Sequence, residues 1–342
     1  MSPRLSILAV TNIFPTEKRP TLGIFVQNQI NGLRDIGLDV NVFYVNRTDQ
    51  GMKAYFTMRK SLMQAVSDFK PALVHVMYGG VMANQVTRSN TGVPSVVTFH
   101  GSDLLGENLS GFFRKWISRY GVHCSHRAAR RALGVIVVSE KLKNALPPQI
   151  PDEKVRVIPC GIDLAQFKPL DRAASRRQLG WDDRAFHVLF ASNNGDPVKR
   201  PWMASAAIDL AQQAGLQAEL HHMRGVLNDQ VPVWMNASDA LILTSMHEGS
   251  PTVVKEALAC GLPVVSVDVG DVSERISGID GCHLVPSEAK AVADKLLLVA
   301  KSKSRISANG EISELSIQSV ARSLERFYNE VLLRPAMLVS RR

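Results

Sequence analysis

The sequence alternates short runs of β-branched residues with segments of helical periodicity, and it does so in two series along the chain. This alternation is typical of βαβ units that build a parallel sheet. In the first half, strands are predicted at residues 5–10, 39–45, 73–76, 95–99, 134–138 and 154–158. In the second half, they are predicted at residues 187–191, 218–221, 240–243, 263–267 and 282–285. We therefore expect two α/β layers, each with its own sheet.

The 342 residues are enough for two domains with proper cores. The segment GIDLAQFKPLDRAASRRQLGWDD, which starts at Gly161, mixes turn residues with a short basic helix and predicts a linker region. We expect an N-terminal domain over residues 1–165 and a second domain over 166–312. Residues 313–342 should form a last helix that packs back on the N-terminal domain, because apolar residues recur there every three to four positions. Doubly wound sheets bind ligands at the carboxyl ends of their strands, so functional residues should lie in loops that follow strands.

The net charge of +9 and the pI near 9.5 suggest an anionic partner. Much of the excess is local, since residues 108–139 contain no acidic residue. A helix predicted over residues 112–133 carries Arg114, Lys115 and Arg131, and it places further basic residues on one face: Arg119, His123, Arg127 and Arg130. Phe113, Trp116 and Tyr120 line another face. This helix is either a solvated surface or a contact for anionic lipid headgroups or a lipid-pyrophosphate acceptor.

Nucleic acid is a less suitable partner, because aromatic residues make up only 6% of the chain and no binding motif is present. The apolar runs are far shorter than the roughly 20 residues that a membrane span needs, and the N-terminal run is better explained as a strand than as a signal peptide. We therefore expect a cytoplasmic protein. Four cysteines without C-x-x-C spacing, and no histidine cluster at zinc-ligand spacing, predict reduced thiols and no structural metal.

The most informative stretch is TSMHEGSPTVVKEALACGLPVVS, which starts at Thr244. A strand, a loop, Ser250 as N-cap and Pro251 as first helical residue are predicted in that order. Glu248 precedes the helix, and Glu256 lies inside it on the face opposite the apolar stripe of Val253, Val254, Ala257 and Leu258. A helix start attracts an anion, and carboxylates on either side suit hydroxyl groups. The pattern fits the hydroxyl, phosphate, hydroxyl order of a sugar nucleotide, although acids that complement the helix dipole and a solvated mid-helix glutamate would look the same.

Residues 236–270 closely resemble the donor-site motif of the family 4 retaining glycosyltransferases, also called glycosyl transferases group 1. Their pattern of glutamate, seven residues and glutamate, followed by A-x-A-x-G-x-P-V-V, is matched by Glu248 and Glu256. Three further segments resemble the family in the same order: VTFHGSD at 97–103, VRVIPCGIDLAQF at 155–167, and residues 188–199. The resemblance implies an α/β fold of GT-B architecture, with two Rossmann-like doubly wound domains that face a central cleft.

The resemblance also implies roles for individual residues. Glu256 would bind the ribose hydroxyls and Glu248 the hydroxyls of the transferred sugar, while Lys199 would contact the diphosphate and His100 the reacting centre. Sugar and phosphate would be received by the loop and helix start: Gly249, Ser250, Pro251 and Thr252. The family usually has an arginine where this chain has Asn193, so Arg200 is considered as a substitute for the missing charge.

Other matches are less specific, and each has a plain structural alternative. Gly23 resembles a loop that approaches phosphate and acceptor, but it is equally explained by a turn. Gly225 and Val226 resemble a loop that contacts the base. Gly101 and Asp103 follow His100, and Asp103 would orient the loop or the acceptor, or cap a short helix.

The resemblance implies retaining transfer of a sugar from a UDP- or GDP-sugar to a cell-envelope polysaccharide or lipid-linked saccharide acceptor. The sequence contains no D-x-D motif, so we expect neither a metal nor another cofactor in the transfer. Two alternatives remain: a GT-B nucleotide-sugar epimerase, and a non-catalytic homologue that binds nucleotide-sugars. The enzyme is expected in the cytoplasm or at the cytoplasmic face of the inner membrane.

Overall fold

The structure, a computed structural model, describes residues 4–106, 111–191, 196–302, 304–307 and 312–334. The chain divides into two compact units: Met1–Gly161 together with Ile317–Arg342, and Ile162–Ser316. The boundary lies four residues before the predicted position at 165/166. Each unit contains one parallel sheet.

The first unit has a six-stranded sheet in the order β2-β1-β3-β4-β5-β6. Its strands are β1 Ser6–Thr11, β2 Asp39–Tyr44, β3 Leu73–Val76, β4 Ser95–Phe99, β5 Gly134–Val137 and β6 Val155–Val157. The helices between them are α1 Ile24–Asp35, α2 Arg47–Gln50, α3 Met58–Phe69, α4 Gly80–Arg88, α5 Ser102–Leu105, α6 Phe112–Arg131 and α7 Glu140–Lys143. Leu8 and Val10 of β1 pack into the core on one face of the sheet, and Ile7 and Ala9 pack into the core on the other. Apolar residues therefore run without alternation along β1, because both faces are covered.

The second unit has a five-stranded sheet in the order β11-β10-β9-β7-β8. Its strands are β7 Phe186–Phe190, β8 Ala218–His222, β9 Ala240–Leu243, β10 Val264–Val267 and β11 His283–Val285. Its helices are α8 Arg172–Leu179, α9 Pro201–Gln213, α10 Val231–Ala237, α11 Thr252–Ala259, α12 Val272–Ile276 and α13 Ala289–Ser302. All eleven predicted strands are present, with ends that coincide with the prediction or differ from it by one residue.

The basic helix that was assigned to a linker is α8, which belongs to the second unit, so the linker prediction was wrong there. Arg176 of α8 is buried, and its guanidinium donates to Ala237 O at 2.9 Å and to Asp239 Oδ2 at 2.6 Å. The sequence pattern did not show this, because an arginine in a polar helix is normally solvated, whereas here a partly buried aspartate satisfies it.

The last helix, α14 (Ile317–Leu333), packs on α1 in the first unit. It begins after a short 3₁₀ turn at Ser313–Leu315, four residues later than the predicted start. The buried Tyr328 hydroxyl lies 2.7 Å from His75 Nδ1, and His75 Nε2 lies 2.6 Å from Thr98 Oγ1. This buried hydrogen-bonded chain links α14 to β3 and β4. A Cβ at Gly32 of α1 would collide with Ile317, so glycine permits the close contact of the two helices.

Candidate functional site

The loop from β9 to α11 is the centre of the candidate site in the second unit. α11 begins at Thr252 with Pro251 as its N-cap, and no side chain caps it. The prediction of Ser250 as N-cap was wrong. Its hydroxyl instead donates to Asp271 Oδ2 at 2.8 Å and accepts from Lys255 Nζ at 2.6 Å. The uncapped helix start carries the partial positive charge of the helix dipole and suits an anionic group.

Lys199 and Glu248 are brought together by the structure. Lys199 Nζ donates to Glu248 Oε1, which also accepts from Ser245 Oγ at 2.7 Å. Lys199 ends a 3₁₀ turn at Pro197–Lys199, and its carbonyl accepts from Thr244 Oγ1 at 2.7 Å. The two side chains are 22% and 16% exposed, so a ligand can still reach both. The pair places a cation and a carboxylate together in the loop that leads to α11.

Arg200 follows directly and adopts a left-handed backbone conformation with φ of 52°. Its guanidinium donates to the carbonyls of Thr244 and Ser245 and to Ser287 Oγ. These bonds fasten the loop after β9. Arg200 therefore stabilises this loop. Asn193, which stands where the family usually has an arginine, lies outside the described residues.

Lys255 and Asp271 are polar residues that the sequence reasoning missed. Both side chains are almost completely buried, at 0% and 1% exposure, and Nζ lies 3.9 Å from Oδ2. Arg275 Nε also donates to Asp271 Oδ2, at 2.9 Å. The predicted apolar stripe of α11 is corrected accordingly: Lys255 is buried, while Val253 is only half-buried. The signal was available, since Lys255 lies three positions before the core residue Leu258 and so shares its face.

Gly249 is held by a close backbone contact. A Cβ added at Gly270 would lie 2.7 Å from the Gly249 carbonyl oxygen, and Gly270 itself has φ of 55°. Glycine is therefore required at 270, both for space and for conformation. The Gly249–Ser250–Pro251 segment is thus held by its close contact with Gly270 and by the Ser250 hydrogen bonds.

Glu256 lies one turn inside α11 and is half-buried, as are Thr252 and Ala259 on the same face. Its carboxylate accepts no hydrogen bond from another described residue, and burial raises its pKa to about 7, an effect that Lys255 partly opposes. A half-buried carboxylate without a protein donor is suited to accept hydrogen bonds from the hydroxyl groups of a ligand.

Gly225 and Val226 lie after β8. Gly225 has φ of 65° and is exposed, and Val226 packs partly on the core.

In the first unit, Asp103 organises the loop after β4. Its buried carboxylate accepts from the backbone N–H groups of Gly79 at 2.9 Å, His100 at 3.0 Å and Gly101 at 2.9 Å. Burial raises the pKa of Asp103 to about 6, and these hydrogen bonds limit the rise. Of the alternatives considered for Asp103, the contacts favour orientation of the loop, since the side chain is 6% exposed. Gly101 adopts φ of 138°, a conformation suited to glycine.

His100 is held between two aromatic rings. Its ring centroid lies 4.7 Å from that of Phe25 and 6.0 Å from that of Tyr78, and Nδ1 lies 3.5 Å from Cys160 Sγ.

Gly23 is the N-cap of α1 with φ of 77°, and a Cβ there would lie 2.7 Å from the Ile13 carbonyl oxygen. The backbone therefore needs glycine at 23 whether or not a ligand approaches it.

Models of two sequence families match the chain. Glycosyltransferase Family 4 matches residues 23–166, and Glycosyl transferases group 1 matches residues 177–302. The putative teichuronic acid biosynthesis glycosyltransferase TuaC of Bacillus subtilis is 26% identical, over 85% of this chain and 88% of its own. A D-inositol 3-phosphate glycosyltransferase of Paenarthrobacter aurescens is 31% identical over 42% of this chain, which spans 43% of that relative.

Solved structures show the same fold at low identity. The sucrose-phosphate synthase of Thermosynechococcus elongatus has a TM-score of 0.77 at 16% identity, with 96% of this chain and 99% of that chain covered. HepE of Anabaena, in complex with UDP-glucose, has a TM-score of 0.68 at 18% identity, with 95% and 99% covered. Since the two family models together cover most of the chain and the neighbours share its architecture, this protein belongs to the family 4/group 1 glycosyltransferases of GT-B type.

Proposed function

We propose that this glycosyltransferase moves a sugar from a UDP- or GDP-sugar to a cell-envelope polysaccharide or lipid-linked saccharide, with retention of the anomeric configuration. The observation that carries the proposal is the arrangement around α11. Glu248 with its paired lysine, the uncapped start of α11 and the carboxylate of Glu256 follow one another along the chain, and Glu256 has no hydrogen-bond donor among the described residues. That order matches sugar hydroxyls, diphosphate and ribose hydroxyls.

In this proposal Lys199 and the backbone of Gly249–Ser250–Pro251, together with Thr252, stabilise the charge that develops on the departing diphosphate. Glu248 accepts from hydroxyls of the sugar and Glu256 from the ribose. His100 contacts the reacting sugar, Gly225 and Val226 contact the base, and Gly23 and Gly101 serve the acceptor side. The transfer uses no metal ion and no other cofactor, because the lysine and the helix start supply the positive charge.

A thermal-shift panel of nucleoside diphosphates and their sugars tests donor binding. A ligand at 100 times its dissociation constant adds about 2.7 kcal/mol to stability, so one base should give a clear rise in Tm. Incubation of the matching nucleotide-sugar with lipid-linked saccharides, followed by NMR of the new anomeric centre, then tests transfer and retention. Absence of any shift with all nucleotides would contradict the proposal.

We also propose that the protein acts at the cytoplasmic face of a membrane through the amino-terminal half of α6. Among the described residues, none of the helices combines the length and the apolar composition of a membrane span. The α6 aromatic surface, defined as Phe112, Phe113, Trp116, Ile117 and Tyr120, is exposed throughout, and Phe112 reaches 90% exposure. Arg114, Lys115 and Arg119 lie among these residues and are exposed too. Aromatic residues beside cations are typical of helices that bind anionic lipid surfaces.

Sedimentation with vesicles tests this second proposal. Vesicles with an anionic lipid should pellet the protein, and those of neutral lipid should do so much less. The double variant Phe113→Ser/Trp116→Ser should reduce binding at least tenfold, whereas Phe56→Ser should not, since Phe56 lies outside α6 although it is even more exposed than Phe113. Equal binding by both variants would contradict the role of α6.

A further inference from the structure

A cluster of three potential metal ligands lies on one face of the second sheet, apart from the donor loop. His187 is near the amino end of β7, whereas the donor loop follows the carboxyl end of β9. In the register of the parallel strands, His187 pairs with Glu219 and Leu189 pairs with His221 of β8. Side chains two positions apart on a strand share a face, so the pairing gathers His187, Glu219 and His221.

The distances within the cluster fit a small metal ion. His187 Nδ1 and His221 Nε2 are 2.8 Å apart, and Glu219 Oε2 lies 3.6 Å from each. A point equidistant from these three atoms is about 2 Å from each, close to the usual distances of zinc to histidine nitrogen and carboxylate oxygen. No other group of three such ligands occurs among the residues that the structure describes.

The hydrogen bonds around His187 orient its imidazole ring as a metal ligand is normally oriented. Its Nε2 lies 2.7 Å from the carbonyl oxygen of Asp182, and a carbonyl can only accept, so Nε2 carries the proton. The lone pair of Nδ1 therefore points into the cluster. Histidines that bind metals typically donate their other N–H to a carbonyl or carboxylate in this way. Trp181 stacks on His221, with ring centroids 3.6 Å apart, and restricts that imidazole as well.

We propose that His187, Glu219 and His221 bind a divalent transition-metal ion and that zinc fits best. Two imidazole nitrogens and one carboxylate oxygen are a known ligand set for zinc, with a fourth position for water. The half-exposed side chain of Glu219 gives solvent access to that position. The ion ties the edge strand β8 to β7 and plays no part in sugar transfer. Without an ion, His221 Nε2–H donates to His187 Nδ1.

Zinc titration of the full chain, without an affinity tag and after treatment with a chelator, tests the site. Calorimetry should show one zinc ion per chain. Glu219→Gln and His221→Gln should each weaken zinc binding by at least tenfold, because each removes a ligand. His222→Gln is the matched control, since the neighbouring residue points to the opposite face of β8 and should bind zinc like the wild type.

Tryptophan fluorescence provides a second readout that does not depend on activity. Cobalt is a probe of the same site, and its binding beside the Trp181 ring should quench fluorescence in wild type and His222→Gln but not in His221→Gln. Thermal unfolding of the metal-free variants shows that they fold, and Glu219 is exposed enough to be replaced safely. Failure of the wild type to bind zinc, or the same affinity in all variants, would overturn the proposal and leave a hydrogen-bonded histidine pair.

Discussion

Lys199 Nζ contacts Oε1 of Glu248, which lies four residues before the uncapped start of α11 at Thr252. The contact joins a short turn before α9 to the loop after β9, two segments separated by 49 positions in sequence. It places the positive charge of Lys199 next to the negative charge of Glu248.

Replacement of Lys199 by methionine should reduce transfer more than it reduces folding stability. A charge-assisted hydrogen bond contributes about 1.5 to 3 kcal/mol, so kcat/KM should fall about 10- to 100-fold. Steady-state kinetics with the preferred donor measure the loss. Lys301→Met is the control, because Lys301 is exposed at the end of α13. An unchanged kcat/KM in Lys199→Met would rule out a contact with the diphosphate.

Donor affinity should depend on pH through Glu256. Its raised pKa, about 7, means that the carboxylate forms only as the pH rises through 7, so nucleotide binding should strengthen between pH 6 and pH 8. Calorimetric titration across this range measures the slope. Glu256→Gln should bind more weakly at pH 8, with a smaller dependence on pH. The idea fails if wild type and variant show the same profile.

The same shift affects stability with the opposite sign. Because the folded protein favours the neutral acid, the contribution of Glu256 is complete below the ordinary carboxyl pKa and is lost as the pH rises through about 7. The Tm of the wild type relative to Glu256→Gln should therefore decrease from pH 4.5 to pH 8. A relative Tm that rises over this range would contradict the buried position of this carboxyl.

The buried pair of Lys255 and Asp271 should be strongly coupled. Lys255→Met leaves the buried Asp271 carboxylate with one cation fewer. It should lower the free energy of unfolding, measured in urea, by about 3 kcal/mol. Lys255→Met/Asp271→Asn should cost less than the sum of the single changes, with a coupling of about 0.5 to 3 kcal/mol. Strict additivity would show that the pair is unimportant. The single variants should also raise the KM for the donor, since Ser250 loses a partner.

Asp103→Leu should destabilise the first unit, because three backbone N–H groups lose their acceptor. Each unsatisfied buried group costs about 1 to 3 kcal/mol. Asp103→Asn keeps one carbonyl oxygen and should recover part of the loss. Urea unfolding of both variants measures which has the higher free energy of unfolding. Equal stability of the two would show that the carboxylate does not hold this loop.

The eleven strands, the parallel sheets and the family were all readable from the sequence. β-branched runs and glycine-bounded helices depend on neighbours within a few positions, so local pattern predicts them. The spacing of Glu248 and Glu256 marked the loop before α11 as the candidate donor site for the same reason. Element ends were less accurate, as the four-residue delay of α14 shows.

Tertiary structure alone decided which partners the buried polar groups contact. Lys255 meets Asp271 sixteen positions later, Arg176 meets Asp239, and His187 meets Glu219 and His221 across two strands. None of these partners lies within one turn or one strand of the other, and no spacing rule connects them. Burial makes such contacts specific, because a charge or imidazole removed from water must find its partner wherever the fold places it.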